Sequence, residues 1–484
     1  MKKIIYIAFS LIFTLFSCEN VDFGDTNENP NGASEADAAS LLAAAMSRYS
    51  TLTGRNYLTR PTLYVQYQSQ VTYTDEMLYS ESAADWYSYY VQTLSNLQLV
   101  IDLNLDEENH TITFLNEGDP ENQIAVAQIF QTIIFKRLTD TYGDIPYSEA
   151  LADIDNLTPA YDSQNDIYEG MISTLKESRD MIDETGVGPT GDIIYDGDVT
   201  KWKKLANSLI LQLSLQLSKK YPNASEYAAI EFNGALNDAA GVIEEISDEA
   251  WFYYDENFNN PWSAQRTTDY FLSLEFTNAL KGLGTTSNSS YDSRIEVFAK
   301  SPTLDGVAYG YSDGSGVGKT GMSSLIWNLT APLQLMTSSY TYLNRADAAN
   351  LGWTSENSAS LLALGIQQSY ATLDDHYGTS ISTESTAYSA ARVVDMSTIG
   401  ATQVIAEEKW VSLFPSGFDA WSEWRRTEYP TLVPATDYLN SGVIPRRYIY
   451  PTDEFSLNPS SYASGVQSLV PATDNNSSKI WWDQ

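Results

Sequence analysis

Carboxylates are abundant in this sequence, whereas the side chains that usually serve as nucleophiles or metal ligands are scarce. The 484 residues include 63 Asp and Glu but only two His and one Cys. A single Cys excludes an intramolecular disulfide and a CxxC metal site, and two His leave no HExxH motif. Neither His110 nor His376 has a nucleophile motif beside it, so both are predicted to be surface residues. A glycosidase needs only two carboxylates, about 5 Å or about 6.5–9.5 Å apart. That enzyme class stays open as the less favoured alternative, and no catalytic residue is assigned.

The chemistry that the sequence does favour is the stacking of aromatic rings against an uncharged ligand. Tyr and Trp are numerous, with 33 and 11 residues. A flat aromatic ring buries the apolar C–H face of a pyranose sugar, while a neighbouring amide, carboxylate or guanidinium group pairs with its hydroxyl groups. Aromatic residues lie beside such polar residues in three segments, 73–90, 251–266 and 309–328. The candidate ligand contacts in these segments are Tyr79, Trp86, Trp262, Arg266, Tyr309, Tyr311 and Trp327.

Several aromatic residues also have a structural interpretation. Trp86 shares an apolar stripe with Tyr90 and Leu94, so a place in the core is at least as well supported as a ligand contact. Other tryptophans lie in helical patterns and are predicted to be core residues: Trp202, Trp410, Trp421 and Trp424. The aromatic residues of segment 309–328 lie in glycine- or turn-rich sequence, where a packing role is less strongly indicated.

The elements that must position these residues are mainly helices. Apolar residues recur every three or four positions in segments 86–101, 127–138 and 202–217, which predicts amphipathic helices. Asp198 or Thr200 is the expected N-cap of the third helix. Weaker helical patterns lie near residues 38–50, 165–183, 225–240, 268–281, 358–372 and 401–413. The predicted fold class is therefore mainly α, with helices paired in series as in repeat solenoids.

Two stretches depart from this helical pattern. Residues 240–355 are rich in Gly, Ser, Asn and Asp, which predicts a long loop-rich lobe on the helical scaffold. Residues 430–484 are also expected to be loop-like, because six Pro lie between 430 and 471. Neither stretch has the character of a linker, so residues 37–484 are predicted to form a single α-rich domain.

The first residues are predicted to be a targeting signal. Lys2 and Lys3 precede an apolar run over 4–16, which is typical of a secretory signal peptide and too short to span a bilayer. Cys18 follows directly and resembles the acylated Cys of a bacterial lipoprotein, although a plain signal peptide with an incidental Cys is the alternative. We expect a signal peptide over 1–17 and a lipidated Cys18 with a flexible tether over 18–36. No other stretch of about 18 apolar residues occurs in the sequence.

Charge limits the ligands that this protein can bind. The formal net charge is −36, which excludes a nucleic-acid binder and argues against docking of the protein surface on anionic lipid. Bulk repulsion also disfavours highly anionic polysaccharides, whereas neutral ligands need no charge complement. No cofactor and no metal are predicted. A structural Ca²⁺ stays open, but no twelve-residue calcium-binding loop supports it.

An ordered set of short motifs resembles the SusD/RagB family, the outer-membrane nutrient-binding lipoproteins of Bacteroidetes. The motifs are NPN (29–31), LLAAA (41–45), TYGDIPYSEA (141–150), WKKLANSL (202–209), EEKW (407–410), AWSEWRRT (420–427), IPRRYIYP (444–451) and LNP (457–459). Most of them are expected to be structural, with Gly143 at positive φ after a helix. Four arginines of these motifs are expected to tie the C-terminal segments to Glu407, Glu408 or Glu423: Arg425, Arg426, Arg446 and Arg447.

The resemblance carries expectations beyond what the residues themselves indicate. It implies tetratricopeptide-like helix pairs with an irregular lobe, and a lipid-anchored subunit on the outside of the outer membrane. Its partner would be a SusC-like TonB-dependent transporter, to which the protein delivers oligosaccharides, with peptide uptake as in RagB as the alternative. The family's site pairs an early-helix aromatic residue with aromatic residues of the lobe, which favours Trp86 together with Trp262, Tyr311 and Trp327.

Overall fold

Helices make up most of the structure and account for most of its packing. The computed structural model describes residues 37–52, 54, 59–81, 83–152, 156–284 and 286–484. The helices in chain order are α1 (Ala38–Leu52), α2 (Arg60–Tyr64), α3 (Tyr87–Tyr89), α4 (Ser95–Leu105), α5 (Ile112–Leu115), α6 (Pro120–Tyr142), α7 (Gln164–Met181), α8 (Val199–Gln216), α9 (Tyr227–Leu236), α10 (Leu274–Leu280), α11 (Ile295–Phe298), α12 (Ser338–Asn350), α13 (Ser358–Tyr377), α14 (Ser385–Ile399), α15 (Ala401–Ser412), α16 (Gly417–Thr427), α17 (Glu454–Leu457) and α18 (Pro459–Ser468). A π-helical segment, Tyr90–Leu94, joins α3 to α4.

Three short two-stranded sheets connect distant parts of the chain. The strands are β1 (Gln68–Gln70), β2 (Ile145–Pro146), β3 (Tyr161–Asp162), β4 (Ala250–Phe252), β5 (Tyr270–Leu272) and β6 (Leu333–Met336). All pairs are antiparallel, β1 with β5, β2 with β3 and β4 with β6. Two of these sheets involve the lobe. The β1–β5 pair joins the lobe to the segment that follows α2, and the β4–β6 pair joins two segments within the lobe.

Consecutive helices pack against one another, which confirms the predicted mainly α fold class. The main contacts are between α6 and α7, α7 and α8, α8 and α9, α12 and α13, and α13 and α14. Residues from Ala38 to Gln484 form one compact unit. The predicted signal peptide, Cys18 and the tether lie outside the described residues, and their assignment stays a prediction. None of the helices in the described part of the chain combines the length and apolar character needed to cross a bilayer.

Local sequence signals explain where several helices begin and end. The side chain of Asp198 accepts a hydrogen bond from the Thr200 amide at 3.1 Å, so Asp198 is the N-cap of α8. Gly143 follows α6 with φ +98°, which confirms the predicted role of this glycine. The segment predicted as helical over 268–281 instead begins as β5, and Ser273 then caps α10 by accepting from the Phe276 amide at 2.9 Å.

Two long helices lie where the sequence gives no helical signal. Helix α14 buries Ser385, Tyr388, Ser389 and Arg392, so its inner stripe is polar and the apolar periodicity is absent. Helix α12 lies inside the range 240–355, which the sequence predicts to be irregular. It too buries many polar residues, among them Asp347. The lobe is therefore partly helical, and α18 likewise interrupts the loop-like C-terminal stretch.

Buried ion pairs fix the C-terminal helices to one another. Glu423 pairs with Arg426, one of its expected partners, at 2.7 Å but within α16, and with Lys409 of α15 at 3.3 Å. Glu408 instead pairs with Arg294 at 2.7 Å and with Arg392 at 2.6 Å. The other arginines of the family motifs have different partners: Arg425 donates to the backbone oxygens of Asp140 and Arg446, Arg446 pairs with Glu428 and Asp483, and Arg447 pairs with Asp474.

The buried carboxylate of Asp347 should make stability depend on acid pH. Burial alone would raise its pKa, but Arg426 and Lys409 beside it outweigh burial and lower the pKa of Asp347 from 3.8 to about 2. A carboxyl group whose pKa is lower in the folded state than in the unfolded state stabilises the fold at pH values above its unfolded-state pKa. This stabilisation is lost as the pH falls through the folded-state pKa. We expect Asp347→Asn to be less stable than wild type at pH 6. The difference in their free energies of unfolding should shrink by about 2 kcal/mol between pH 6 and pH 2. Urea unfolding across this pH range measures the difference in free energy of unfolding, and a difference that does not change with pH would contradict the prediction.

Candidate ligand-binding site

Tyr73 and Arg266 form an exposed aromatic–cation pair at the edge of the lobe. Tyr73 follows β1 with φ +52°, and 67% of its surface is exposed. The Arg266 guanidinium lies over the Tyr73 ring, 5.1 Å from its centroid, and pairs with Asp269 at 2.8 Å. The hydrogen bond from Arg266 to Tyr73 and the nearby Asp269 raise the pKa of Arg266, so it is cationic at any physiological pH. This contact orients an aromatic ring that remains open to solvent.

The loop of Tyr311 lies beside this pair. Tyr311 is 43% exposed. Gly314, three residues further along the chain, closely approaches β1. A Cβ atom added to Gly314 would lie 3.6 Å from the carbonyl oxygen of Gln70, the last residue of β1. The segments of Tyr73 and Arg266 are joined in turn by a hydrogen bond from the Val71 amide to the Asp269 carbonyl, at 2.9 Å. The segments that carry Tyr73, Arg266 and Tyr311 therefore adjoin one another.

A fourth segment, from the C-terminal part of the chain, completes this surface. Asp437 accepts hydrogen bonds from the amide and hydroxyl of Ser312 at 2.8 and 2.7 Å, which hold the pKa of the carboxyl below its usual range. The Asp437 amide donates to the Gly310 carbonyl at 3.0 Å. Gly310 has φ +84°, and a Cβ there would lie 2.5 Å from the Ala435 Cα, so only glycine fits this approach. These contacts place Tyr438, which is half-exposed, beside the Tyr311 loop.

We call Tyr73, Arg266, Tyr311 and Tyr438, four exposed side chains on adjoining segments, the tyrosine face. It presents three phenol rings and one guanidinium group to solvent. Rings of this kind cover the apolar faces of sugars, and a guanidinium group donates to their hydroxyl groups. Two of the four residues, Arg266 and Tyr311, are among the predicted contacts. Tyr73 and Tyr438 are additions that the structure supplies.

Two predicted contacts, Trp262 and Trp327, lie together but are largely buried. Their rings are stacked with centroids 5.7 Å apart and planes 9° apart. Trp262 donates from its indole nitrogen to the Thr59 hydroxyl at 3.2 Å. Trp327 is 8% exposed and also contacts the Tyr270 ring, at 5.9 Å. Within the described residues the indole nitrogen of Trp327 has no hydrogen-bond partner. We assign this pair a packing role in the lobe, and direct ligand contact stays a prediction.

Tyr79 and Tyr309 pack under the tyrosine face. The Tyr309 hydroxyl donates to the Met77 carbonyl at 3.1 Å. The Tyr79 hydroxyl accepts from the Ala435 amide at 2.9 Å, and burial raises the pKa of Tyr79 to about 12. Both side chains are fully or almost fully buried. Their contacts indicate that they support the loops that carry the exposed rings.

Trp86 belongs to a separate aromatic cluster. It is 1% exposed, and its ring meets four tyrosines edge to face at 5.1–6.0 Å: Tyr90, Tyr142, Tyr161 and Tyr450. The structure therefore places Trp86 in the core, and its ring neighbours are not those of Trp262 and Trp327. The expected pairing of Trp86 with the aromatic residues of the lobe is not seen.

His376 has a structural environment that differs from the expected surface position. It lies in the last turn of α13, and its ring stacks on Trp251 with centroids 3.9 Å apart. Its Nε2 lies 3.2 Å from Glu249, a buried carboxylate that also accepts from the hydroxyls of Ser338 at 2.6 Å and Thr372 at 2.7 Å. This network fixes β4 to α12 and α13. In the described part of the chain, no group of three or more His, Cys, Asp and Glu side chains is arranged to hold a metal ion.

Comparisons with known proteins agree with this architecture. A SusD-like family model described as "Starch-binding associating with outer membrane" matches residues 30–451. A solved structure of a chitin-binding protein is 26% identical, with a TM-score of 0.79 over 93% of this chain and 100% of that one. A chitin-binding SusD homologue from Flavobacterium johnsoniae is 21% identical, with a TM-score of 0.72 over 92% and 98%. A SusD homologue from Bacteroides fragilis is 20% identical, with a TM-score of 0.75 over 93% and 100%.

A search of curated proteins gives no match. The family model nevertheless covers most of the chain, and its range includes the exposed rings and the helical scaffold that carries them. The chain therefore belongs to the SusD-like family, whose model is described as associating with the outer membrane.

Proposed function

We propose that this protein captures uncharged oligosaccharides on the tyrosine face and delivers them to a SusC-like TonB-dependent transporter. The observation that carries the proposal is the exposed Tyr73 ring, held in place by Arg266, on loops that adjoin those of Tyr311 and Tyr438. Ring faces and a guanidinium group suit sugars, whose surfaces are apolar on the face and polar at the rim. The net charge of −36 favours neutral over anionic glycans.

The names of two structural neighbours suggest the first sugar to test. Both are chitin-binding proteins, at 26% and 21% identity. Oligomers of N-acetylglucosamine are neutral and carry apolar ring faces, so they fit the chemistry of the tyrosine face. We therefore infer that chito-oligosaccharides are among the ligands.

Calorimetry tests the binding step. The protein from Glu19 onward lacks the signal peptide and Cys18 and retains the compact unit Ala38–Gln484. We expect it to bind N-acetylglucosamine tetramer or another neutral oligosaccharide from a plant and algal panel. Binding of peptides alone would instead support a RagB-like uptake subunit. Release of reducing sugar by the purified protein would support the glycosidase alternative.

Anchoring and delivery need their own test. We propose that Cys18 carries the lipid anchor and that the protein faces the cell exterior. Incorporation of labelled palmitate into wild type but not into Cys18→Ala would support the anchor. Co-purification of the full-length protein with an outer-membrane barrel would support the transporter partner, and its failure would favour a free-standing adhesin or scaffold.

A further inference from the structure

A groove on the helical scaffold, formed by segments other than those of the tyrosine face, has the size of a ligand site. Its volume is about 420 Å³, within the range of about 300–1,000 Å³ typical of small-molecule pockets. Trp86, Tyr87 and Tyr90 are among the residues that line it. Exposed apolar residues surround them, including Leu157, which is 80% exposed. Apolar side chains left this open around a concavity indicate contact with something that covers them.

Two carboxylates give this groove its charge. Glu454 is buried and accepts hydrogen bonds from the hydroxyls of Tyr87, at 2.5 Å, and Tyr161. Glu149 accepts from the Asn156 amide and the Ala160 backbone amide, both at 3.0 Å. Within the described residues the groove has no Lys, Arg or His in its wall. A buried carboxylate without a cation is costly, because neutral donors compensate its charge only in part.

The donors of the groove are already used within the protein. The Tyr90 hydroxyl donates to the Pro146 carbonyl at 2.6 Å, and the Asn458 amide donates to the Pro159 carbonyl at 2.7 Å. Burial and the hydrogen bond to Glu454 raise the pKa of Tyr87, so this phenol remains a donor to the carboxylate at physiological pH. The polar groups left to a ligand are therefore mainly acceptors, and the ligand must bring donors and positive charge.

Backbone geometry marks the same wall. Leu151, which lines the groove, has φ +66° although it is not glycine. A bulky residue other than glycine in the left-handed region is uncommon and costs energy, and such residues concentrate at ligand-binding sites.

We propose that this groove is a second ligand site, which takes an amine-bearing sugar with its ammonium group at Glu454 and Glu149 and its ring against Tyr87 and Tyr90. An ammonium group supplies three donors and one positive charge, and it is also attracted to the faces of aromatic rings. The choice of a sugar as the body of the ligand rests on the proposed carbohydrate-binding function. The site itself rests on the groove and on the buried carboxylate of Glu454, which no cation of the described wall neutralises.

A matched pair of probes separates the two sites. Glucosamine tetramer is cationic, and N-acetylglucosamine tetramer has the same skeleton without charge. Calorimetry and Trp fluorescence follow both probes with wild type and with Glu454→Gln, which removes the charge at nearly constant shape. Since Glu454→Gln could loosen the tyrosines around it, Leu157→Lys provides a second variant at an exposed rim position, where an added cation should repel the ammonium group. Glu108→Gln, at an exposed position on another segment, is the control for the loss of one charge.

The expected result is that glucosamine tetramer binds wild type, and that both groove variants weaken its binding about tenfold or more, whereas Glu108→Gln does not. Binding of the N-acetylated tetramer should be unchanged by these variants, and higher salt should weaken the binding of the cationic probe only.

If the cationic probe does not bind, or binds the groove variants equally well, the inference fails while the proposed function stands on the neutral probe. If only the neutral probe is lost in the groove variants, the groove is the neutral-glycan site and the inference is again wrong. If groove-dependent binding is seen with tetralysine and not with glucosamine tetramer, the occupant is a basic peptide and the assignment of a sugar is overturned.

Discussion

Replacing Glu408 with alanine is expected to lower the free energy of unfolding by about 3–5 kcal/mol. The Glu408 side chain is 1% exposed and pairs with two fully buried guanidinium groups, those of Arg294 at 2.7 Å and Arg392 at 2.6 Å. It also accepts from the Tyr388 hydroxyl at 2.9 Å. Burial alone would raise the pKa of Glu408, but the two arginines outweigh burial and lower it, so the group is ionised in the folded state. Loss of the Glu408 carboxylate leaves the two buried guanidinium groups with too little negative charge around them.

Urea unfolding at neutral pH measures this effect. Glu408→Gln keeps the shape and some acceptor capacity, so we expect a smaller loss than for Glu408→Ala. Glu256→Ala, at an exposed loop position, should change the free energy of unfolding by less than about 0.5 kcal/mol. A loss below about 1 kcal/mol for Glu408→Ala would mean that the neighbouring Asp292 and Glu407 compensate both arginines, and the prediction would be wrong.

The same ion pairs explain why the sequence predicts some helices and not others. Helix α8 has an apolar stripe and an Asp198 cap, and both are visible in the sequence. Helix α14 packs through Tyr388 and Arg392, and Arg392 is buried because Glu408 and Glu407, on α15, neutralise it. A buried arginine cannot be distinguished from a solvated one by its spacing alone. Burial that depends on a partner elsewhere in the chain is therefore not predictable from local periodicity.

The tyrosine face was predictable only in part, for a related reason. The abundance of aromatic residues beside polar residues directs attention to the lobe, and Arg266 and Tyr311 are exposed there. Whether a given ring is buried depends on long-range contacts, such as the hydrogen bond from Ala435 to Tyr79 across 356 residues. Tyr438 gave little signal, because it lies in the proline-rich C-terminal stretch and is brought to the lobe by long-range contacts, among them the hydrogen bond from Ser312 to Asp437.

Removal of the exposed rings should abolish most glycan binding if the tyrosine face is the site. Tyr73→Ala and Tyr311→Ala are each expected to weaken binding of a neutral oligosaccharide about tenfold, since the loss of one stacked ring costs about 1–2 kcal/mol. If the two rings act independently, the double variant should bind about a hundredfold more weakly. Both positions are exposed, so stability should be nearly unchanged and unfolding in urea can confirm this.

Two further variants distinguish stacking from other contributions of the same residues. Tyr73→Phe keeps the ring and loses only the hydroxyl, so binding should stay close to wild type if the ring face carries the energy. Tyr291→Ala is the matched control, because Tyr291 is half-exposed but its charged neighbours are Glu296 and Glu384, outside the tyrosine face. Calorimetry with N-acetylglucosamine tetramer, or with whichever neutral oligosaccharide binds wild type, compares the five variants with wild type. Wild-type affinity in the double variant would exclude the tyrosine face as the glycan site, because Tyr438 and Arg266, its two remaining members, could not make up for two lost rings.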